Sequence, residues 1–365
     1  MNKPLVSVVM VVCNADRFLA VAIESILKQT FQQFEFIIVD FGSSDRSKAI
    51  ISGQAAKDSR IRFSEIPPCT LPEARNAGCS LAQGQYIAIM DADDISLANR
   101  LRWEVDFMEA HPDVGLLGGA RECIDGTGRA LAIDDFPIED HEIKLALAVQ
   151  CPFCQPTLLI RRDAFVRAGG YRPAFAQAED YDLALRMSED CGCANLEQVV
   201  LKYRIHLYQL SLQKGRQQTL CKLAAQASAS LRRDGKPDPL NSVAEITPAV
   251  VAGLGVSDAR QQREIAWDRR LWIQRICMAG EYTVALEAAL ELLGSNFEYI
   301  ERWQIADLRF LAARLYWKQR RFAMSCLTVA HAFMTRPILV GRPLRPLLQW
   351  FRFRNHRQRA PSSKR

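Results

Sequence analysis

Nowhere in the 365 residues is there a run of about 18 uninterrupted apolar side chains: Leu5 to Cys13 is too short, and Met324 to Met334 is broken by Ser325, Thr328 and His331. A membrane-spanning helix is therefore not expected. The opening Met1-Asn2-Lys3-Pro4 leads straight into a strand-like run without a leader-type apolar core, so a cleaved export signal is not expected and the location reads as cytoplasmic. Glycine is missing between Val12 and Asp16, where a nucleotidyltransferase would want a phosphate loop after its first strand. The basic half lacks an interleaved aromatic platform, which removes nucleic acid as a partner. Cysteine is present but odd in number, eleven scattered over a long chain, which excludes a disulfide framework and favours reduced thiols. Cys151/Cys154 and Cys191/Cys193 could in principle make a four-thiolate zinc site, yet neither pair sits in the Gly- and Lys-rich knuckle of a zinc ribbon.

What is present is an ordinary globular composition, 49% hydrophobic and 24% charged, which excludes disorder and a fibre. The net charge of +6 conceals an asymmetry. Residues 1–210 hold 21 Lys+Arg against 29 Asp+Glu, and the remainder holds 26 against 12. The two parts are expected to face different partners. Residues 336–365 carry nine positive side chains and no acid, interleaved with Leu339, Leu344, Leu347, Leu348, Trp350, Phe351 and Phe353. That pattern fits a basic amphipathic tail in peripheral contact with an anionic membrane at its inner face; a solvated basic end is the alternative.

Short apolar runs alternate with helical patterns from Leu5 onward. Leu5–Val12 and Phe34–Val39 are continuous apolar strands, as expected when both faces of a parallel sheet are covered. Between them Phe18, Leu19, Ala22, Ile23, Ile26 and Leu27 recur at helical spacing, completing a βαβ unit. A helix capped by Ser44 or Asp45, a strand Ile61–Ile66, a helix opening at Pro72 and a strand Tyr86–Met90 follow. The pattern predicts a doubly wound α/β sheet. Beyond Asp94 come a helix over about Leu97–Glu109, a short strand Val114–Leu117 followed by Gly-rich turns, a strand Thr157–Ile160, and a helix beginning near Asp180. After Leu210 the chain reads helical, with a linker at 233–239 and a faint hairpin echo between Gly280–Ala285 and Arg320–Ala323. The expected division is a catalytic domain over 1–210, a helical region over 211–335 and the tail over 336–365.

In an open α/β sheet the ligand sits outside the carboxyl ends of the strands. Cys13-Asn14, Asp40 and Asp91-Ala92-Asp93-Asp94 all land there. Asp91 and Asp93, two apart at a strand end, can point the same way and share one divalent cation, Mg²⁺ or Mn²⁺, whose other ligands are water and substrate phosphate. Arg75, in the third helix, can offset the acids and grip a diphosphate. Glu179-Asp180 places a carboxylate at a helix N-terminus, where the macrodipole keeps it ionised and able to accept a proton; a plain helix cap is the alternative.

These motifs, in this order, resemble the inverting glycosyltransferases of family 2, with the GT-A (nucleotide-diphospho-sugar transferase, Rossmann-like) fold. The resemblance spans about residues 1–210. It is carried by Ser7-Val8-Val9-Met10, Asn14–Leu19, Ala22–Phe31, Phe34–Asp40, Ala74-Arg75-Asn76, Asp91–Asp94, Gly169-Gly170-Tyr171, Glu179–Leu183 and Tyr203-Arg204-Ile205-His206. It implies a GT-A domain, and the helical pattern after Leu210 adds a mainly α-helical C-terminal region. The resemblance further implies a nucleotide-sugar donor lined by Val11, Asn14, Asp40, Phe41, Arg75 and Asp91, and a metal held by Asp91, Asp93 and His206. Asp180 would be the catalytic base, with Glu179 and Tyr171 beside a glycan or glycolipid acceptor. Phe41 stands where the family usually has a second acid, Cys13 where a Tyr is common, and Gln155 where a His is usual. Phe41 can stack on a base but cannot accept its N–H. The implied reaction is sugar transfer to a hydroxyl with inversion, in surface polysaccharide or glycolipid biosynthesis. The rival reading is a non-catalytic nucleotide-sugar-binding scaffold.

Overall fold

In the computed structural model, which describes residues 3–207, 209, 214–295 and 301–335, the N-terminal half alternates as the hydrophobic pattern requires. It runs β1 (Val6–Val12), α1 (Asp16–Leu27), β2 (Phe34–Asp40), α2 (Ser47–Ala55), β3 (Ile61–Glu65), α3 (Leu71–Ser80), β4 (Tyr86–Met90), β5 (Ile95–Ser96) and α4 (Arg100–Ala110). Next come β6 (Val114–Asp125), β7 (Ala130–Asp134), α5 (Asp140–Leu147), β8 (Leu159–Arg161), α6 (Arg162–Arg167), α7 (Glu179–Ser188) and β9 (Gly192–Ile205). The helices α8 (Gly215–Arg233), α9 (Pro248–Gly253), α10 (Asp258–Ala279), α11 (Tyr282–Gly294), α12 (Arg302–Lys318) and α13 (Phe322–Thr335) complete the described chain.

The strands form one mixed sheet in the order β3-β2-β1-β4-β8-β6-β9-β5, with β7 paired to β6. The segment β3-β2-β1-β4 is parallel, so the carboxyl ends of β1, β2 and β4 open on one edge. Every residue of β1, β2 and β4 is buried, because helices cover both faces. Two apolar clusters fill those faces, one holding Val9, Val11, Ile37 and Val39, the other Val8, Met10, Phe36 and Ile38. Alternate residues of each strand thus go to opposite sides.

Two expectations fail for identifiable reasons. The Gly-rich stretch after Leu117 is the middle of the long strand β6 and not a turn. A Cβ at Gly118 would meet Asn195 Oδ1 at 2.2 Å and one at Gly119 would meet Val200 Cγ2 at 2.8 Å, so glycine lets β9 pack close. The 233–239 segment is no free linker: Asp238 accepts from Ser228 Oγ at 2.7 Å, Leu240 N–H at 2.9 Å, and both Arg172 and Arg232.

The described residues divide into two compact units, one running to Asp268 with Met278–Gly280, the other made of Arg269–Cys277 and Glu281 onward. The first unit reaches well past residue 210, since Leu220, Leu223, Ala224, Leu240, Ile246 and Val251 belong to the sheet's own core. In the second, α12 and α13 pair through Ser325 Oγ donating to Ala313 O at 2.8 Å and a Phe310–Phe333 edge contact at 5.5 Å. The faint sequence echo corresponds to two like helix ends: Glu281 N–H reaches Ile276 O at 3.2 Å, and Arg321 N–H reaches Tyr316 O at 2.9 Å. Each follows a left-handed residue, Gly280 at φ 93° and Arg320 at φ 60°. No helix among the described residues is long and apolar enough to cross a membrane. The basic tail, 336–365, lies outside the described residues.

Candidate active site

At the open edge, Asp40 ends β2 fully buried. Its Oδ1 accepts from the N–H groups of Gly42 at 3.1 Å and Ser43 at 3.0 Å, while Oδ2 has no hydrogen-bond partner among the described residues. Asn14 follows β1 at φ 53°, a left-handed position that its short amide side chain tolerates. Its N–H donates to Ser43 Oγ at 2.9 Å and its Oδ1 accepts from Ser44 N–H at 2.8 Å. The two side chains therefore shape the 41–44 loop beside the strand ends. Val11 belongs to the core and Phe41 is half-buried against it.

The acidic turn after β4 is buttressed from β9. Arg204 donates its N–H to Asp94 Oδ1 at 2.7 Å and its Nε–H to Asp93 O at 2.8 Å. Burial and the neighbouring Asp93 and Asp91 charges push Asp94 well above the usual carboxylate range. His206, two residues on and hence on the same side of the strand, brings Nε2 to 2.9 Å from Asp93 Oδ2. Phe18, expected in the helix core by spacing, instead lies beside the site, its ring 5.0 Å from that of His206 and 4.3 Å from the Arg204 guanidinium carbon.

Asp91 and Asp93, two apart after β4, have different hydrogen-bond partners. Asp91 Oδ1 accepts from Arg75 at 3.1 Å, whereas Asp93 turns to His206. Among the described residues no three His, Cys, Asp or Glu side chains gather as a metal cluster. Arg75 is buried, and its other terminal nitrogen donates to Glu179 at the start of α7. Desolvation pulls the guanidinium down, but Glu179 and Asp91 outweigh it and keep it protonated. Burial pushes Glu179 up to about 7, against Arg75 and reinforced by Asp180. It pushes Asp91 up to about 6, against Arg75 and reinforced by Asp93 and Asp180. Asp180 is likewise raised by burial, with Arg75 opposing, and its Oδ1 accepts from Tyr181 N–H at 2.8 Å. Tyr171 is buried at 1% exposure, its hydroxyl accepting from Gln155 Nε2 at 2.8 Å, so it supports the site from within.

Sequence reasoning gave no role to Asn76 or Arg204. Asn76 grips the main chain of Tyr171 on both sides, accepting from its N–H at 2.9 Å and donating to its carbonyl at 2.7 Å. Its signal was adjacency to Arg75; that of Arg204 was the two-residue period shared with His206.

The carboxylates of Asp91, Asp93 and Glu179, the Arg75 guanidinium and the His206 imidazole are thus paired in the same region, after β4 and at the start of α7. A family described as glycosyl transferase family 2 matches residues 7–169, and one described as glycosyltransferase like family 2 matches residues 127–233. An uncharacterized glycosyltransferase of Methanocaldococcus jannaschii is 34% identical over 212 residues, 56% of this chain and 72% of that protein. The O-antigen biosynthesis glycosyltransferase WbnJ of Escherichia coli is 31% identical over 206 residues, 55% of this chain and 80% of that protein. The crystal structure of S. aureus TarS 1-349 in complex with UDP-GlcNAc aligns with a TM-score of 0.51 over 90% of each chain at 14% identity, a likeness of fold. The sheet is that of the GT-A fold, and the chain belongs to glycosyltransferase family 2.

Proposed function

We propose that this chain moves a sugar from a nucleotide-sugar donor to an acceptor hydroxyl with inversion at the anomeric carbon, in assembly of a surface polysaccharide or glycolipid. The observation that carries the reading is Asp180, held at the first turn of α7 next to Glu179, which Arg75 joins to Asp91 at the end of β4. Asp180 accepts the hydroxyl proton as the acceptor oxygen attacks and the nucleoside diphosphate leaves. Its raised basicity brings it closer to neutral pH, where a general base is most effective. The name of the E. coli relative, an O-antigen enzyme, supports the pathway class, and the UDP-GlcNAc complex of the S. aureus neighbour supports the donor class.

The Asp93 carboxylate is the oxygen donor that suits a divalent cation, with the His206 imidazole 2.9 Å from it as a borderline donor, and the remaining positions would go to water and diphosphate oxygens. Bound there, Mg²⁺ or Mn²⁺ would supply charge neutralisation for the leaving diphosphate. Thermal stabilisation by a panel of nucleotide sugars with Mn²⁺ identifies the donor. Asp180→Asn then keeps donor binding and loses transfer by about 10² to 10⁴. Transfer within twofold of the parent removes Asp180 as base, and donor binding by the parent without turnover gives the scaffold reading instead. Attachment to an anionic membrane through residues 336–365 belongs to the same proposal. Liposome co-sedimentation at low salt should retain the full chain and release one ending at Thr335; equal behaviour discards it.

A further inference from the structure

Arg75 bears on how the site is held together, and the inference rests on the transferase reading above. The arginine stands on α3, whose start is fixed by a capping box between Thr70 and Glu73 with Pro72 in the first turn. One terminal nitrogen reaches Glu179 on α7 and the other Asp91 Oδ1 on the β4 end at 3.1 Å, and the side chain is 7% exposed. Each terminal nitrogen already donates to a carboxylate of the protein and the guanidinium is closed to water, so the fork faces two acids of the fold. The next residue, Asn76, pins Tyr171 in the segment that leads into α7. Gly170 in that segment sits at φ 67°, where a Cβ would approach Asn76 Oδ1 to 2.8 Å.

The N-cap position of α7 supplies no side-chain cap. Its residue is Ala178, in the left-handed region at φ 58°, and the side chain that reaches a first-turn N–H is Asp180, whose Oδ1 accepts from Tyr181 at 2.8 Å. An alanine takes that conformation only where its surroundings impose it. What α3 imposes is the Arg75–Glu179 bridge on one side and the Asn76–Tyr171 clasp on the other.

We propose that Arg75 is a positioning residue, tying the helix that carries Asp180 to the donor-side strand end through Glu179 and Asp91, and not a ligand of the donor diphosphate. Lysine keeps the charge but cannot bridge two carboxylates in a fork. Displacing a catalytic group by about 1 Å can cost about 10² in rate. The expected signature is therefore a fall in kcat at a nearly constant donor KM.

The test uses the full chain and its Arg75→Lys, Arg75→Met and Arg75→Met/Glu179→Gln variants. The double variant leaves no unpaired Glu179 charge buried if the single one fails to fold. With the donor turned over by the parent among UDP-glucose, UDP-N-acetylglucosamine and GDP-mannose, kcat should fall about 10²-fold in Arg75→Lys while donor KM stays within threefold. The double variant should lose no more than Arg75→Met, since both break the same two-armed bridge. A tenfold or larger rise in donor KM with kcat near the parent value would make Arg75 a diphosphate ligand and overturn the proposal. Amide hydrogen exchange decides independently of turnover. Residues 179–182 should exchange at least tenfold faster in Arg75→Lys and in the double variant, with β1 and β2 unchanged; unchanged exchange at 179–182 overturns the proposal. If the parent turns over no donor, the transferase reading fails while the exchange result still decides the positioning role.

Discussion

Phe41 shows how a residue that departs from the family pattern can serve the core. Its ring is half-buried against the cluster that holds Val11 and Val39, one residue beyond the buried Asp40. Placing a carboxylate there removes apolar contact and buries charge without a partner. Phe41→Asp should therefore cost about 1–3 kcal/mol of stability and leave uridine-nucleotide affinity within twofold, read from urea melts and calorimetry with UDP. A gain in UDP affinity would show instead that the ring occupies a base-binding position. At this scale the sequence announced the acids, because Asp40, Asp91 and Asp93 follow buried strands, and it announced Glu179-Asp180 by the helix that follows. What it could not announce is pairing across the fold. Arg75 and Glu179 lie 104 residues apart, and only the folded sheet shows that the arginine is already engaged.

The elements were legible where the period of the hydrophobic pattern was unbroken. Strands β1, β2 and β4 and helix α1 fall within a residue or two of the expected spans, since continuous apolar runs and an i, i+3, i+4 stripe leave little choice. Strand β9, fourteen residues with three polar or charged side chains at its centre, carried no such signal; its pairing with β6 depends on glycines that read as turns. The 233–239 segment was misread for a related reason: a Gly- and Pro-containing segment resembles a linker until its buried aspartate is seen. Burial raises Asp238, but Ser228, the Leu240 N–H, Arg172 and Arg232 outweigh it and hold its pKa at about 2. A carboxyl depressed below its ordinary 3.8 stabilises the fold above that value and loses the contribution as pH falls toward 2. With partial solvent screening this is on the order of 1–2 kcal/mol. Asp238→Asn should thus be less stable than the parent by that amount at pH 7, with the gap nearly constant down to about pH 4.5 and shrinking by pH 3. Urea midpoints across that range check it, and a gap that widens on acidification would contradict the assignment.

For the whole molecule, the boundary that matters falls inside α10. Its first half belongs to the catalytic unit: Asp268 accepts from Thr219 Oγ1 at 2.9 Å and from Lys222 Nζ at 2.7 Å, and Gln261 donates to Pro248 O at 3.2 Å and Val256 O at 3.1 Å. Gln261 is 2% exposed and Ala266 8%, so this half-helix covers core. A chain ending at Gly280 keeps those contacts, whereas one ending at Gly255 leaves Lys222 and Thr219 without their partner and uncovers α8 and α9. Charge-assisted hydrogen bonds contribute about 1.5–3 kcal/mol each, and the exposed apolar surface adds to the loss. The longer truncation product should bind the donor found for the full chain within twofold and melt as one transition. The shorter should lose at least about 3 kcal/mol and bind donor only at reduced temperature. Calorimetric melting with donor titration at 10 and 25 °C separates the two. Equal stability of both products would mean that α10 contributes nothing to the catalytic unit, and failure of the longer one to bind would assign part of the donor site to residues beyond Gly280.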